Sequence, residues 1–176
     1  MIAPEYSRPV RIDSIGEQGR SLEIAADEGE RAALARRFGL LALARLDAVL
    51  TLSRNGQEIA VHGRLAAAVT QACVATAEPV AAEIEAPFDL VFRPQPDPAQ
   101  AEDEVELSES EMDVVFHDGA EIDLGELVAE TLALVLDPYP RVPDADELLK
   151  AAGVKSEEEA GPFGALAGLR DKLKGT

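Results

Sequence analysis

Every even position from Leu40 to Leu52 is apolar, and every odd position from Ile59 to Val69 is Ile, Val, Gly, Leu or Ala. A period of two places these side chains on one face of a strand. Asn55-Gly56 stands between the two runs and supplies the positive-φ pair of a type I′ turn. With those two as the loop, Leu52 faces Ile59, Leu50 faces Val61 and Leu46 faces Leu65. Both apolar rows then share one face of a long hairpin (residues 40–69). A slip by one residue would turn a row toward water, so the pattern specifies its own register.

A third run follows Glu78-Pro79, with Val80, Ala82, Ile84, Ala86, Phe88, Leu90 and Phe92 on one face (strand 80–92). Pro87 inside it predicts an edge or a bulge, because proline cannot donate to a ladder. Strands with one apolar face need cover. The spacing predicts it from helices near 27–38 and 123–136. Asp27 and Glu30 have capping-box spacing, Arg36 and Arg37 suit the negative end of the helix dipole, and Gly39 can close it. Asp123 and Glu126 repeat the pattern, with Leu124, Leu127, Val128, Thr131 and Val135 as the predicted buried stripe. Short strands are expected at 9–13, 21–25 and 112–116. The fold expected is α+β, a twisted antiparallel sheet of about four to six strands covered by helices on one face. Hydrophobic residues are 47% of the chain and aromatics 4%, so the core should be aliphatic.

Charge divides the chain. Residues 94–140 hold fourteen Asp or Glu and no Lys or Arg, whereas the net charge of the whole chain is -18. Residues 1–140 read as one α+β domain carrying an acidic mobile loop at 94–112. Residues 141–176 read as an extended, turn-rich tail ending in a short amphipathic helix at 162–173 with Phe163, Leu166, Leu169 and Leu173 on one face. A strongly negative surface attracts cations or basic protein and repels phosphate. Salt-dependent nucleic-acid binding needs clustered Lys and Arg. The alternative is an RNA-binding module that uses Arg36, Arg37, Arg45, Arg54 and Arg64.

Other chemistries lack their parts. Cys73, His62 and His117 do not form a nucleophile–base pair in the expected register, because His62 faces outward and Cys73 lies past the strand end. The acids of the loop do not match an EF-hand. One Cys and two distant His cannot close a zinc site. No phosphate loop, nucleophile elbow or dinucleotide fingerprint is present. No enzyme activity, cofactor or metal is expected. No apolar run reaches membrane-span length, and the first residues lack a signal-peptide pattern. With a single cysteine, this predicts a cytoplasmic protein.

Three blocks of sequence carry a resemblance. They are Val61-His62-Gly63-Arg64-Leu65, Gln71-Ala72-Cys73-Val74-Ala75-Thr76-Ala77-Glu78-Pro79-Val80, and Phe88-Asp89-Leu90-Val91-Phe92. With Glu121 to Glu130, Leu132 to Pro140 and Pro162 to Leu169 in the same order, the chain resembles the YceD family, the large ribosomal RNA subunit accumulation proteins. The resemblance implies a bacterial cytoplasmic protein needed for 23S ribosomal RNA accumulation and large-subunit assembly, without enzymatic activity. Many members carry Cys-x-Arg-Cys where this chain has Cys73-Val74-Ala75-Thr76, and a cysteine cluster where it has Arg141 to Asp146. That departure suits an alphaproteobacterial-type variant and removes any metal role of the cluster. Combined with the charge, it leads to a non-catalytic ribosome biogenesis factor that binds a basic ribosomal protein or assembly factor. The expected partner-binding residues are Glu102, Asp103, Glu104, Glu106, Glu109 and Glu111 in the loop, then Glu126 and Glu130 on the second helix.

Overall fold

A computed structural model describes residues 4–95, 113–117 and 120–154. The strands are β1 (Pro9–Arg11), β2 (Arg20–Ala25), β3 (Ala42–Asn55), β4 (Glu58–Ala72), β5 (Pro79–Pro94), β6 (Asp113–His117) and β7 (Glu121–Asp123). The α-helices are α1 (Glu28–Phe38), α2 (Leu124–Val135) and α3 (Ala145–Ala151). A five-stranded sheet runs β2-β3-β4-β5-β6, and a separate two-stranded sheet joins β1 to β7. The α+β class is as expected. β6 pairs with β5 in parallel, however, so the larger sheet is mixed rather than wholly antiparallel.

The chain divides into two compact units, residues 1–71 with 81–138 and residues 72–80 with 139–176. In the first, Leu46, Leu50, Leu52, Ile59, Val61, Leu65, Phe88, Leu90 and Phe92 line the inner face of the sheet. Leu34 of α1 and Leu124, Val128 and Leu132 of α2 complete the same core. Burying each such side chain stabilises the fold by about 1.5–3 kcal/mol relative to exposure. The opposite face of the sheet carries Thr51, His62, Arg64 and Asp89, all exposed.

The hairpin forms with its apolar rows together, but two details differ from expectation. The loop is Gly56-Gln57, flanked by the pair Asn55 and Glu58. Gly56 has φ of 63° and Asn55 does not have positive φ, which suits a type II′ turn rather than I′. Leu52 therefore faces Val61 and Leu46 faces Ala67. The slide is by two residues, so the inward face is unchanged. The second difference is a bulge between Leu43 and Arg45. An extra residue inverts the alternation beyond it. Leu43 is buried as a result, while Ala42 and Ala44, expected inside, are exposed.

Gly63 lies under the Phe88 ring. A Cβ there would stand 2.4 Å from the ring's Cζ, so only glycine lets β5 lay its phenylalanine across β4. Pro87 is exposed, and β6 pairs only with Leu90–Pro94. The proline thus occupies the stretch of β5 that no described strand covers on that side, as the sequence predicted.

Helix α1 starts with the full capping box. Asp27 accepts from the Glu30 N–H, Glu30 accepts from the Asp27 N–H, and Gly39 closes the helix at φ of 66°. Asp123 caps α2, accepting from Gly125 and Glu126 N–H. Ala129 and Leu132 are buried, whereas Thr131 and Val135, expected in the buried stripe, are half-buried and exposed.

In the second unit, the Cys73 N–H donates to the Glu78 carbonyl (2.8 Å) and the Val74 N–H to Pro140 (2.9 Å). Residues 145–151, expected to be turn-rich tail, form α3 instead. Ala, Leu, Glu and Lys are good helix formers, Asp146 and Glu147 sit in the first turn, and Lys150 sits in the last. The helix expected at 162–173 and most of the loop expected at 94–112 lie outside the described residues.

Candidate functional site

Two acids of the stretch 94–140 organise the meeting of α2 with the N-terminal segment. Asp123 Oδ1 accepts from Arg8 N–H (2.7 Å) and from Gly125 N–H (3.0 Å), while Oδ2 accepts from the Ser7 hydroxyl. Gly125 permits this approach, because a Cβ there would stand 2.5 Å from the Tyr6 carbonyl oxygen. Three residues on, Glu126 does not turn back to complete a capping box. Its two oxygens instead take the Arg37 guanidinium at 2.6 and 3.0 Å, and Glu5 adds a third contact at 3.2 Å. The hydrogen bond to Glu126 raises the Arg37 pKa above its ordinary value. Glu126 is therefore engaged within the fold, while Glu130, one turn later, is exposed. The other expected partner-binding residues, Glu102, Asp103, Glu104, Glu106, Glu109 and Glu111, lie outside the described residues.

Arg8 makes the second clasp. Its guanidinium donates to both Glu30 oxygens (2.7 and 2.9 Å) and to the Ala25 carbonyl (3.0 Å), and it stacks 4.7 Å above the Tyr6 ring. The bond from Arg8 depresses the Glu30 carboxyl below its usual range. Burial pushes the Tyr6 hydroxyl up to about 12. Spacing alone assigns Arg37 and Glu30 local helix roles. Their partners lie 89 and 22 residues away, and no spacing rule reports contacts of that range.

The outer sheet face pairs its own charges. Arg45 lies 3.3 Å from Asp47 and 3.6 Å from Glu83, Arg93 lies 2.8 Å from Glu58, and His62 Nδ1 lies 2.6 Å from Asp89. Of the arginines considered for RNA, Arg37 and Arg45 are paired with carboxylates and Arg54 donates to the Gly56 carbonyl. Among the described residues, Arg36 and Arg64 enter no ion pair. They lie on α1 and β4, and do not make a cluster.

Cys73 is buried, and its thiol pKa is lowered to about 7 by the Thr76 side chain and then by backbone hydrogen bonds at Val142, Ala75 and Thr76. These are neutral groups of the turn, not an imidazole base. Among the described residues no group of three or more His, Cys, Asp or Glu could hold a metal ion. No described helix is long and apolar enough to cross a membrane.

The family model described as large ribosomal RNA subunit accumulation protein YceD matches residues 61–170, well over half of the chain. No curated protein and no solved structure matches.

Proposed function

The chain belongs to the YceD family of large ribosomal RNA subunit accumulation proteins, and from that membership we propose that it is a non-catalytic ribosome biogenesis factor acting through a basic protein partner. A ribosome-related role follows from the family. The finer reading is that it supports 23S ribosomal RNA accumulation and large-subunit assembly by engaging a ribosomal protein or another assembly factor.

One observation carries the choice of partner: fourteen carboxylates and no basic residue in 94–140. Several arginines that would offset this field are occupied. Arg8, Arg37, Arg45 and Arg93 each hold a carboxylate of the body. Direct RNA binding needs free, clustered cations that release counterions. A basic polypeptide needs the reverse, and a negative field would speed its encounter and orient it. Glu102, Asp103, Glu104, Glu106, Glu109 and Glu111 are the residues proposed to meet it, and Glu130 is proposed for the same role.

The test is co-purification of the tagged protein with large-subunit precursors at low and high salt. Partner capture should fall steeply as salt screens the charges. Capture that ignores salt contradicts the electrostatic reading. Gel-shift with 23S fragments decides the RNA alternative, and binding at physiological salt that is lost in Arg64→Ala would favour it.

A further inference from the structure

Among the described residues, strand β2 is an edge of the five-stranded sheet and β1 pairs only with β7. Main-chain hydrogen bonds show which way each edge points. Ala26 N–H donates to Leu46 O, in register with the β2–β3 ladder, so Arg20, Leu22 and Ile24 bond to β3. Ser21, Glu23 and Ala25 then turn their N–H and C=O groups outward. On β1, Leu124 N–H donates to Arg8 O and Ile12 N–H to Ala120 O, so the Pro9 and Arg11 main chain turns away from β7. No β1–β2 pairing closes the gap among the described residues. Arg8 crosses it with a side chain, donating to the Ala25 carbonyl.

Beside the two edges, against β1 and the Arg20, Leu22 and Ile24 side chains of β2, lies a cleft of about 400 Å³. Val10, Leu22 and Ile24 form its floor and are only half-buried. Arg8, Arg11 and Arg20 rim it, and no Asp or Glu lines it. That lining is unusual on a chain of net charge -18. Arg8 and Arg11 hold Glu30 and Asp13, while Arg20 enters no ion pair among the described residues.

We propose that this cleft is a strand-addition site for an extended acidic segment of a partner protein, carboxylates alternating with aliphatic residues. Ala25 O is taken by Arg8 and Arg11 O by the Ser14 hydroxyl, so the main-chain groups of Ser21 and Glu23, the Ala25 and Arg11 N–H and the Pro9 carbonyl would bond the peptide main chain, as in other strand-addition complexes. Aliphatic side chains of the guest cover Val10, Leu22 and Ile24, and its carboxylates meet the arginine rim. Nucleic acid would find the charge but no aromatic ring on which to stack a base, and aromatic platforms are what single strands use. No acid of the stretch 94–140 lines the cleft, so its failure leaves the reading above standing.

Fluorescence anisotropy on the full chain tests this. The probe is a short labelled peptide alternating Glu with Val and Leu. The controls are its Lys counterpart, the same acidic peptide methylated on alternate main-chain nitrogens, and a short single-stranded RNA. The acidic peptide should bind saturably and the three controls should not. Arg20→Glu should weaken binding by about tenfold or more. Ser21→Pro should weaken it as well, because its N–H points away from β3. Circular dichroism of both variants should match the unmodified protein. Absence of saturable binding, equal binding of the methylated peptide, full binding by a folded Arg20→Glu variant, or preference for RNA each overturns the proposal. The methylated peptide keeps the test decisive if a variant does not fold.

Discussion

On the outer face of the sheet, Arg45 lies between Asp47 and Glu83 and Arg93 lies beside Glu58; between residues 94 and 140 fourteen carboxylates share no basic residue of their own. The sheet neutralises its charges locally. Among the described residues of the acidic stretch, the N-terminal segment and α1 lend donors to two acids. Asp123 accepts from the Arg8 main-chain N–H and the Ser7 hydroxyl, and Glu126 from the Arg37 guanidinium. Acids of the same stretch thus differ in their setting. Asp123 and Glu126 meet donors and hold the fold, Glu130 is exposed, and the acids from Glu102 to Glu111 are the ones proposed to meet a partner.

Removing a donor-bound acid should have the largest effect on stability. Asp123→Ala deletes an N-cap and the acceptor for Arg8 and Ser7, and should cost about 3 kcal/mol. Glu130→Gln, on the same helix and exposed, should stay within about 0.5 kcal/mol. Urea unfolding of both checks the contrast, and equal costs would break it. Gly63→Ala should cost about 2 kcal/mol by pressing on Phe88. Combining it with Phe88→Leu should recover part of that loss in a double-mutant cycle.

A smaller effect follows from Glu30. Arg8 holds its folded pKa below the ordinary value, so its stabilisation is complete above the usual carboxylate range. It is lost as pH falls through the folded value. Glu30→Gln keeps an acceptor for the Asp27 N–H but removes the charge. It should cost about 0.5–1 kcal/mol near neutral pH, since both partners are partly exposed. Unfolding curves of the variant and the unmodified protein should converge on acidification, and a gap that widens would contradict the pairing. Neutralising Glu102, Asp103, Glu104, Glu106, Glu109 and Glu111 together should move stability least, by under about 0.5 kcal/mol.

The sequence made the same division visible only in part. The alternation of Leu46 to Leu52 and Ile59 to Val69 was legible because one buried face demands it. The Asp27–Glu30 cap was legible because all of its partners are local. The bulge at Ala44 was not, since an inserted residue looks the same as a continuing strand until its partner is known. Strands β1 and β7 span three residues each, too few to show a period. The prolines at 138, 140 and 143 hid α3. At the candidate site the excess of acid was legible, but not the tie between Glu126 and Arg37, nor that Glu126 is held by the fold while Glu130 is exposed.

The most direct measurement is the ratio of 23S to 16S ribosomal RNA in cells that lack this protein and carry either the unmodified chain or the variant neutralised at the six acids from Glu102 to Glu111. With the variant folded and as abundant as the original, the account predicts that only the unmodified chain restores 23S RNA. Full restoration by the neutralised variant would contradict it.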